Sequence, residues 1–329
     1  MQSTGQPRIS LLIPCFNEEA VLPQVRMRVA AAAATWPVDY EVILVDDGST
    51  DDTWEVIQSL HRRDPRWKGI RLTRNFGHQA ALGAAFKAAR GDAVVVLDAD
   101  LQDPPELVDT FIEHWRAGCP IVYGVRTERP EGWFKRLCYA GFYWLLTRTA
   151  ETPMPAAAGD FCLLDRRVVR VLNRSRDQRP FWRGLRAWTG FVQMGVPYVR
   201  HSRQAGRSQY TWSKLCQLAW DGFWSMSSLP WMLLIGLAMA AACLGLASAA
   251  VPGVAAAAGA CQSLVLAGLV VALHRQGVER RRRPRWLVAE SVGFKSQAHP
   301  PGWTKPAEVD STVSTKHELA ILSPPVGMP

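Results

Sequence analysis

The sequence lacks any paired-cysteine motif: its seven cysteines (Cys15, Cys119, Cys138, Cys162, Cys216, Cys243, Cys261) are odd in number, scattered, and nowhere spaced as CxxC. That excludes a disulfide framework and a cysteine-built zinc site, and it suits a reducing, cytosolic face for the soluble part. Glycine-rich phosphate loops are lacking too, since neither GxGxxG nor GxxxxGK[ST] occurs, which argues against dinucleotide binding and P-loop ATPase chemistry. The polar start, Met1 to Arg8, runs directly into an apolar strand-like segment, so no secretory leader is expected. Charge is missing from one long stretch: no Asp, Glu, Lys or Arg stands between Asp221 and Arg275. That is longer than a buried soluble helix needs, and it is expected in lipid.

What is present divides in two. Up to about residue 117 strand-like and helix-like segments alternate: strands at Ile9 to Phe16, Tyr40 to Asp47, Gly69 to Arg74 and Ala93 to Asp98, with helices at Glu18 to Ala34, Asp51 to His61, Gly77 to Arg90 and Pro105 to Ala117. This predicts an α/β domain with a mostly parallel sheet, whose ligands sit at the carboxyl ends of the strands. Downstream, Leu229 to Ala250 and Val254 to Leu273, separated by Pro252 and Gly253, read as a two-helix transmembrane hairpin. Trp133 to Arg148 and Tyr210 to Ser228 mix Trp, Phe, Tyr and Leu with basic residues, as amphipathic interfacial helices do. Basic residues on both flanks of the hairpin (Arg200, Arg203, Arg207 and Lys214 before it; Arg275, Arg280 to Arg283 and Arg285 after it) put both flanks on the cytoplasmic side. The expected organisation is therefore a catalytic domain over 1–210, an interfacial helix over 211–228, the hairpin over 229–273, and a basic segment with a disordered tail over 274–329.

Net charge is +9, which suits nucleic acid, anionic lipid or phosphate-bearing substrates equally and so decides nothing alone. The polar clusters after the strands are more specific. Asp98, Asp100 and Gln102 follow the buried run Val94 to Leu97 and place oxygen ligands on alternate residues, which suits Mg²⁺ or Mn²⁺ bridging two substrate phosphates. Asp46 and Asp47 close the second strand; Ser49, Thr50 and Asp51 suffice to cap the next helix, which would leave two carboxylates for a base or ribose.

Taken in order, Pro14, Asn17, Glu18; Asp46-Asp47-Gly48-Ser49; Arg74-Asn75-Phe76-Gly77; and Asp98-Ala99-Asp100-Leu101-Gln102-Asp103-Pro104-Pro105-Glu106 closely resemble family 2 glycosyltransferases, in the branch of dolichol-phosphate mannose synthases and bactoprenol glucosyltransferases. Gly124-Val125-Arg126, Gly159-Asp160-Phe161, Phe181 to Leu185 and Gly206 to Tyr210 continue it, over roughly residues 8 to 290. The resemblance implies a GT-A fold. It implies nucleotide-sugar binding by Pro14, Asn17, Glu18, Asp46, Asp47, Asn75, Asp98 and Ala99, metal binding by Asp98, Asp100 and Gln102, and catalytic roles for Asp100, Asp160 and Arg126. An acceptor phosphate would meet Arg126, Lys135, Arg203, Arg207 and Ser208. Gly206-Arg207-Ser208-Gln209-Tyr210 departs from the family's usual Gly-Glu-Ser-Lys-Tyr, and His274 to Glu279 departs from a Gly-Glu-Tyr pattern.

The expected activity is inverting transfer of a sugar, UDP-glucose favoured as donor, to a polyprenyl phosphate such as undecaprenyl phosphate. The enzyme would sit in the plasma membrane as a multi-pass protein with its catalytic domain cytoplasmic. Nucleic acid is not an expected partner, and a homo-oligomer is left open. GDP-mannose as donor and a non-catalytic membrane scaffold are the alternatives.

Overall fold

The computed structural model describes residues 8–127, 158–175, 177–178, 180–199, 229–248, 255–280 and 283–294. The first four strand–helix units are β1 (Arg8–Cys15), α1 (Leu22–Ala33), β2 (Asp39–Asp46), α2 (Thr53–Arg63), β3 (Trp67–Leu72), α3 (His78–Ala88), β4 (Ala93–Val96) and α4 (Val108–Arg116), the last preceded by a 3-10 turn at Pro105–Leu107. Next come β5 (Ile121–Arg126), β6 (Ala158–Asp165), α5 (Arg166–Leu172), α6 (Trp182–Trp188) and β7 (Gln193–Tyr198). The chain ends its described course with α7 (Leu229–Ser248), α8 (Ala255–Arg280) and β8 (Val288–Val292).

The strands form one sheet in the order β7-β5-β6-β4-β1-β2-β3-β8. Pairings β1–β2, β1–β4, β2–β3 and β5–β7 are parallel, whereas β6 runs antiparallel to β4 and β5, and β8 antiparallel to β3. The central strands are apolar on both faces because helices cover both faces. Ile9, Leu11 and Ile13 of β1 pack with Leu22, Val25 and Val29 of α1, Ile57 of α2 and Phe111 of α4; Leu12 points the other way, toward α3, α5 and α6. Each such fully buried aliphatic side chain stabilises the domain by roughly 1.5–3 kcal/mol.

Helix α1 starts later than the expected Glu18, because residues 17 to 19 are tied sideways to the loop before α2. The Glu18 N–H donates to Thr53 Oγ1 at 2.9 Å, and the Glu19 N–H to Asp51 Oδ2 at 3.3 Å. The expected helix from Pro105 divides into the 3-10 turn and α4.

Helices α7 and α8 lie against each other, and Gly268 permits the approach: a Cβ there would stand 2.1 Å from Leu234. Met232, Leu233, Ile235, Met239, Leu264, Leu266 and Leu273 point outward and are more than half exposed. Among the described residues no helix is long and apolar enough to cross a membrane. The aromatic-basic segments 133–148 and 210–228 lie outside the described residues.

Within the segment 274–329, the structure adds an element the sequence reading did not foresee. Strand β8 pairs with β3, Thr73 N–H donates to the Leu287 carbonyl at 3.0 Å, and Glu290 accepts from Trp54 Nε1 at 3.0 Å. Residues on either side of the helical pair therefore belong to the same sheet.

Candidate active site

The carboxyl ends of β1, β2 and β4 lie side by side, as their parallel register requires. The loop after β1 and the loop after β2 are laced together: Asn17, at φ 56°, donates its N–H to Ser49 Oγ at 2.9 Å, and its Oδ1 accepts from the Thr50 N–H at 2.9 Å. Gly48 lies at φ +68°, and a Cβ there would fall 2.4 Å from the Arg74 carbonyl carbon, so both its backbone and its space call for glycine.

The two carboxylates expected to be free for a base or ribose are instead engaged. Asp46 is fully buried, accepts the Ser49 N–H at 2.9 Å through Oδ1, and has Oδ2 3.5 Å from Arg71 Nε. Asp47 accepts the N–H groups of Phe76 and Gly77, both at 2.8 Å, and so clamps the loop before α3. Pro14 is buried within β1, paired with Val45. Pro14, Asp46 and Asp47 are thus buried at the strand ends, while Asn75 is exposed on its loop and Asn17 and Glu18 are partly exposed.

Burial pushes the Asp47 carboxyl up to about 6, against the pull of its two N–H donors. A folded value above the ordinary 3.8 means that its stabilising contribution is fully present below about pH 4 and is lost as pH rises through about 6. Asp47→Asn should flatten that window and cost about 1–3 kcal/mol near neutral pH, because one N–H loses its acceptor. Thermal melts of both proteins across that range check this.

The second half of the site is an acid cluster with cations around it. Asp98 follows β4, and Asp100 accepts the Gln102 N–H at 3.1 Å in a turn where Leu101 adopts φ 56°. Asp98 is pushed up to about 6 by burial first; His78 opposes the rise, and Asp103, Asp100 and Asp160 add to it. Accumulated negative charge at a strand end fits a hard divalent cation. Among the described residues no three His, Cys, Asp or Glu side chains form a metal-holding group. The available set, Asp98, Asp100 and the Gln102 amide, is the open kind that Mg²⁺ or Mn²⁺ completes with substrate phosphates.

Arg126 ends β5 beside Tyr198, which ends β7. Its Nε donates to Tyr198 Oη at 3.2 Å, its Nη2 lies 3.8 Å from Asp103 Oδ1, and Tyr198 Oη donates to that same carboxylate oxygen. Burial works against the Arg126 charge, but Asp103, Tyr198 and Asp98 raise its pKa above the ordinary value. The glycines of two motifs make room for this group. A Cβ on Gly124 would meet the Tyr198 ring at 2.6 Å, and one on Gly159 would meet Arg126 at 3.4 Å.

Asp160 is gripped by Arg183, with Nε 3.3 Å from Oδ1 and Nη2 3.1 Å from Oδ2, and by His78, with Nε2 3.8 Å from Oδ2. Burial alone would raise its pKa; Arg183, His78 and Arg186 outweigh that and hold it well below the usual carboxylate range.

The structure therefore brings together Asp98, Asp100, Asp160 and Arg126. Ala99 is buried beneath them. Lys135, Arg203, Arg207 and Ser208 lie outside the described residues. Reading the sequence missed His78, Asp103, Arg183 and Tyr198 as site residues. His78 and Arg183 carried a signal, the first directly following the Arg74 to Gly77 cluster and the second lying in the Phe181 to Leu185 motif.

Comparison with known proteins bears on what this arrangement does. Residues 10–172 match the family described as Glycosyl transferase family 2. An uncharacterised glycosyltransferase of Bacillus subtilis is 42% identical over 222 residues, covering 67% of this chain and 69% of that protein. A bactoprenol glucosyl transferase of Shigella phage SfV is 37% identical over 224 residues, covering 68% of this chain and 73% of that one. Among solved structures, a Pyrobaculum calidifontis mannosyltransferase in complex with GDP-Man and Mn²⁺ is similar at 19% identity with a TM-score of 0.45, covering 85% of each chain.

Proposed function

The chain belongs to glycosyl transferase family 2 and is a glycosyltransferase, and from that premise we propose that it transfers glucose from UDP-glucose to a polyprenyl phosphate at a membrane surface. One observation carries the acceptor half of this reading. Strands β5 and β7 are parallel neighbours whose last residues, Arg126 and Tyr198, stand in register beside Asp103. The chain leaving each of these ends leads, in sequence, to an aromatic-basic segment, at 133–148 and at 210–228. A lipid-borne phosphate held by such segments at the bilayer would meet the cluster from the Arg126 side. The name of the Shigella phage relative supports the same acceptor and sugar.

The uncharged run between Asp221 and Arg275, whose described part lies in the helical pair α7 and α8, then anchors the enzyme as a membrane hairpin over 229–250 and 254–273. Support comes from its outward apolar side chains and from β8, which returns the chain to the sheet it left. An even number of crossings keeps both flanks on the catalytic, cytoplasmic side.

In the reaction, Asp98, Asp100 and Gln102 would hold the divalent ion, which neutralises charge on the departing nucleoside diphosphate. Arg126, oriented by Tyr198 and Asp103, offers two-pronged contact to the acceptor phosphate. A phosphate monoester has its second pKa near about 6, so it is mostly dianionic at neutral pH and needs no general base. One of its oxygens attacks the anomeric carbon; the bond to the nucleoside diphosphate breaks from the opposite face, and that group departs with the electron pair. The configuration inverts. Asp160, held ionised by its cations, is a weak base and serves to orient them.

Full-length enzyme in detergent, given a panel of UDP- and GDP-sugars with undecaprenyl phosphate, should yield a glucosylated lipid phosphate by extraction and mass. Failure with every donor would remove the acceptor assignment. Asp160→Asn should keep measurable turnover, with a loss below the roughly 10²–10⁴-fold that an essential base supplies. Complete loss in a folded, substrate-binding variant, or a product of retained configuration, would overturn the mechanism.

A further inference from the structure

His78 opens α3 with both chain neighbours fixed. Before it, Asp47 holds the N–H groups of Phe76 and Gly77. After it, Gln79 is latched to the start of α6: the Trp182 N–H donates to Gln79 Oε1 at 3.2 Å, and Trp182 Nε1 to the Gln79 carbonyl at 2.7 Å. This latch presents His78 and Arg183, from two helices, to one carboxylate on β6, that of Asp160. A side chain 28% exposed is not there to fill the core. His78 also lies near enough to Asp47 and Asp98 to act electrostatically on both carboxylates.

Resting on the glycosyl-transfer reading above, we propose that His78 is a positioning residue of the reaction: with Arg183 it fixes the Asp160 carboxylate, and the clamp at Asp47 fixes His78. A contiguous run of contacts, Asp47 to the 76–77 backbone, His78, Asp160 and Arg183, joins the end of β2 to α6. The consequence is that Asp160 and its cations are aligned by the same loop whose backbone Asp47 holds. Misalignment by a fraction of an ångström costs rate and leaves binding of the donor intact.

The test compares His78→Phe, which keeps a ring but removes the N–H, with His78→Gln, which keeps an N–H. Rates are read both as lipid glycosylation and as acceptor-independent hydrolysis of the nucleotide-sugar, so a wrong acceptor leaves the test standing. The Phe variant should lose about tenfold in kcat, with donor KM within about twofold and an unchanged melting temperature. The Gln variant should recover most of the loss. In an Asp160→Asn background the Phe substitution should add less than about twofold, since the contact it removes is already disabled. Wild-type kcat in the Phe variant, equal impairment by Gln and Phe, a loss confined to donor KM, or full additivity with Asp160→Asn would each overturn the proposal. Should the Phe variant not fold, His78→Ala against His78→Gln reads the same split.

Discussion

Asp100→Ala should reduce kcat by about 10³-fold or more while the domain stays folded, and a chelator should do the same to the unaltered enzyme. The structural cost of the substitution is small. Asp100 is partly exposed and accepts the Gln102 N–H in a turn, a bond of about 1 kcal/mol. The functional cost is large because Asp100 is one of two carboxylates in the proposed ion-holding set, and a departing diphosphate carries charge that the ion would neutralise. Circular dichroism and melting curves check the fold, and transfer of labelled sugar into a lipid extract checks the rate. Restoration of the chelated enzyme by Mn²⁺ or Mg²⁺, but not of Asp100→Ala, completes the expected pattern. Full activity after chelation would remove the metal from the mechanism.

The Arg126→Ala enzyme should lose about 10²–10³-fold in kcat/KM for the polyprenyl phosphate, and Arg126→Lys should recover only part of that. The guanidinium has two tasks. In the proposed reaction it faces the acceptor, and it stands 3.8 Å from a fully buried Asp103 carboxylate. Removing the partner of a buried charge costs about 3–5 kcal/mol; with Arg126 about a quarter exposed, solvent screening reduces this to about 1–2 kcal/mol. The variant should therefore melt lower as well as react more slowly. Lysine restores a charge but not the planar fork that presents separate donors to Tyr198 and to a phosphate. Unchanged KM for the acceptor in Arg126→Ala would place the acceptor elsewhere.

The first half of the fold was legible because its physics is local. The apolar runs of β1, β2 and β4 are continuous, their helices follow at short spacing, and the polar residues fall where strands end. The acid pair Asp98 and Asp100 was legible for the same reason. The structural work of Asp47 was not legible, since a carboxylate that serves two backbone N–H groups some thirty residues away looks in sequence like one that serves only a ligand. Tyr198 and Arg183 depend on β6, α6 and β7 being brought back beside β4, and no local pattern announces that. β8 was missed because five residues, Val288 to Val292, with a central Ala-Glu-Ser carry little strand signal; the pairing with β3 supplies the stability that the segment lacks.

That last pairing has a consequence for how the protein is made. Arg71 and Glu290 are neighbours in the finished sheet but lie 219 positions apart along the chain. At a translation rate of about 5–20 residues per second, β3 waits on the order of 10–40 s after leaving the ribosome before its partner exists. During that interval its outer hydrogen-bonding groups are an open edge, the kind that recruits strands from other nascent chains. The two apolar helices are synthesised inside the same interval. If they enter the membrane as proposed above, their capture by the insertion machinery holds each unfinished chain at the bilayer, apart from its neighbours, until β8 closes the edge.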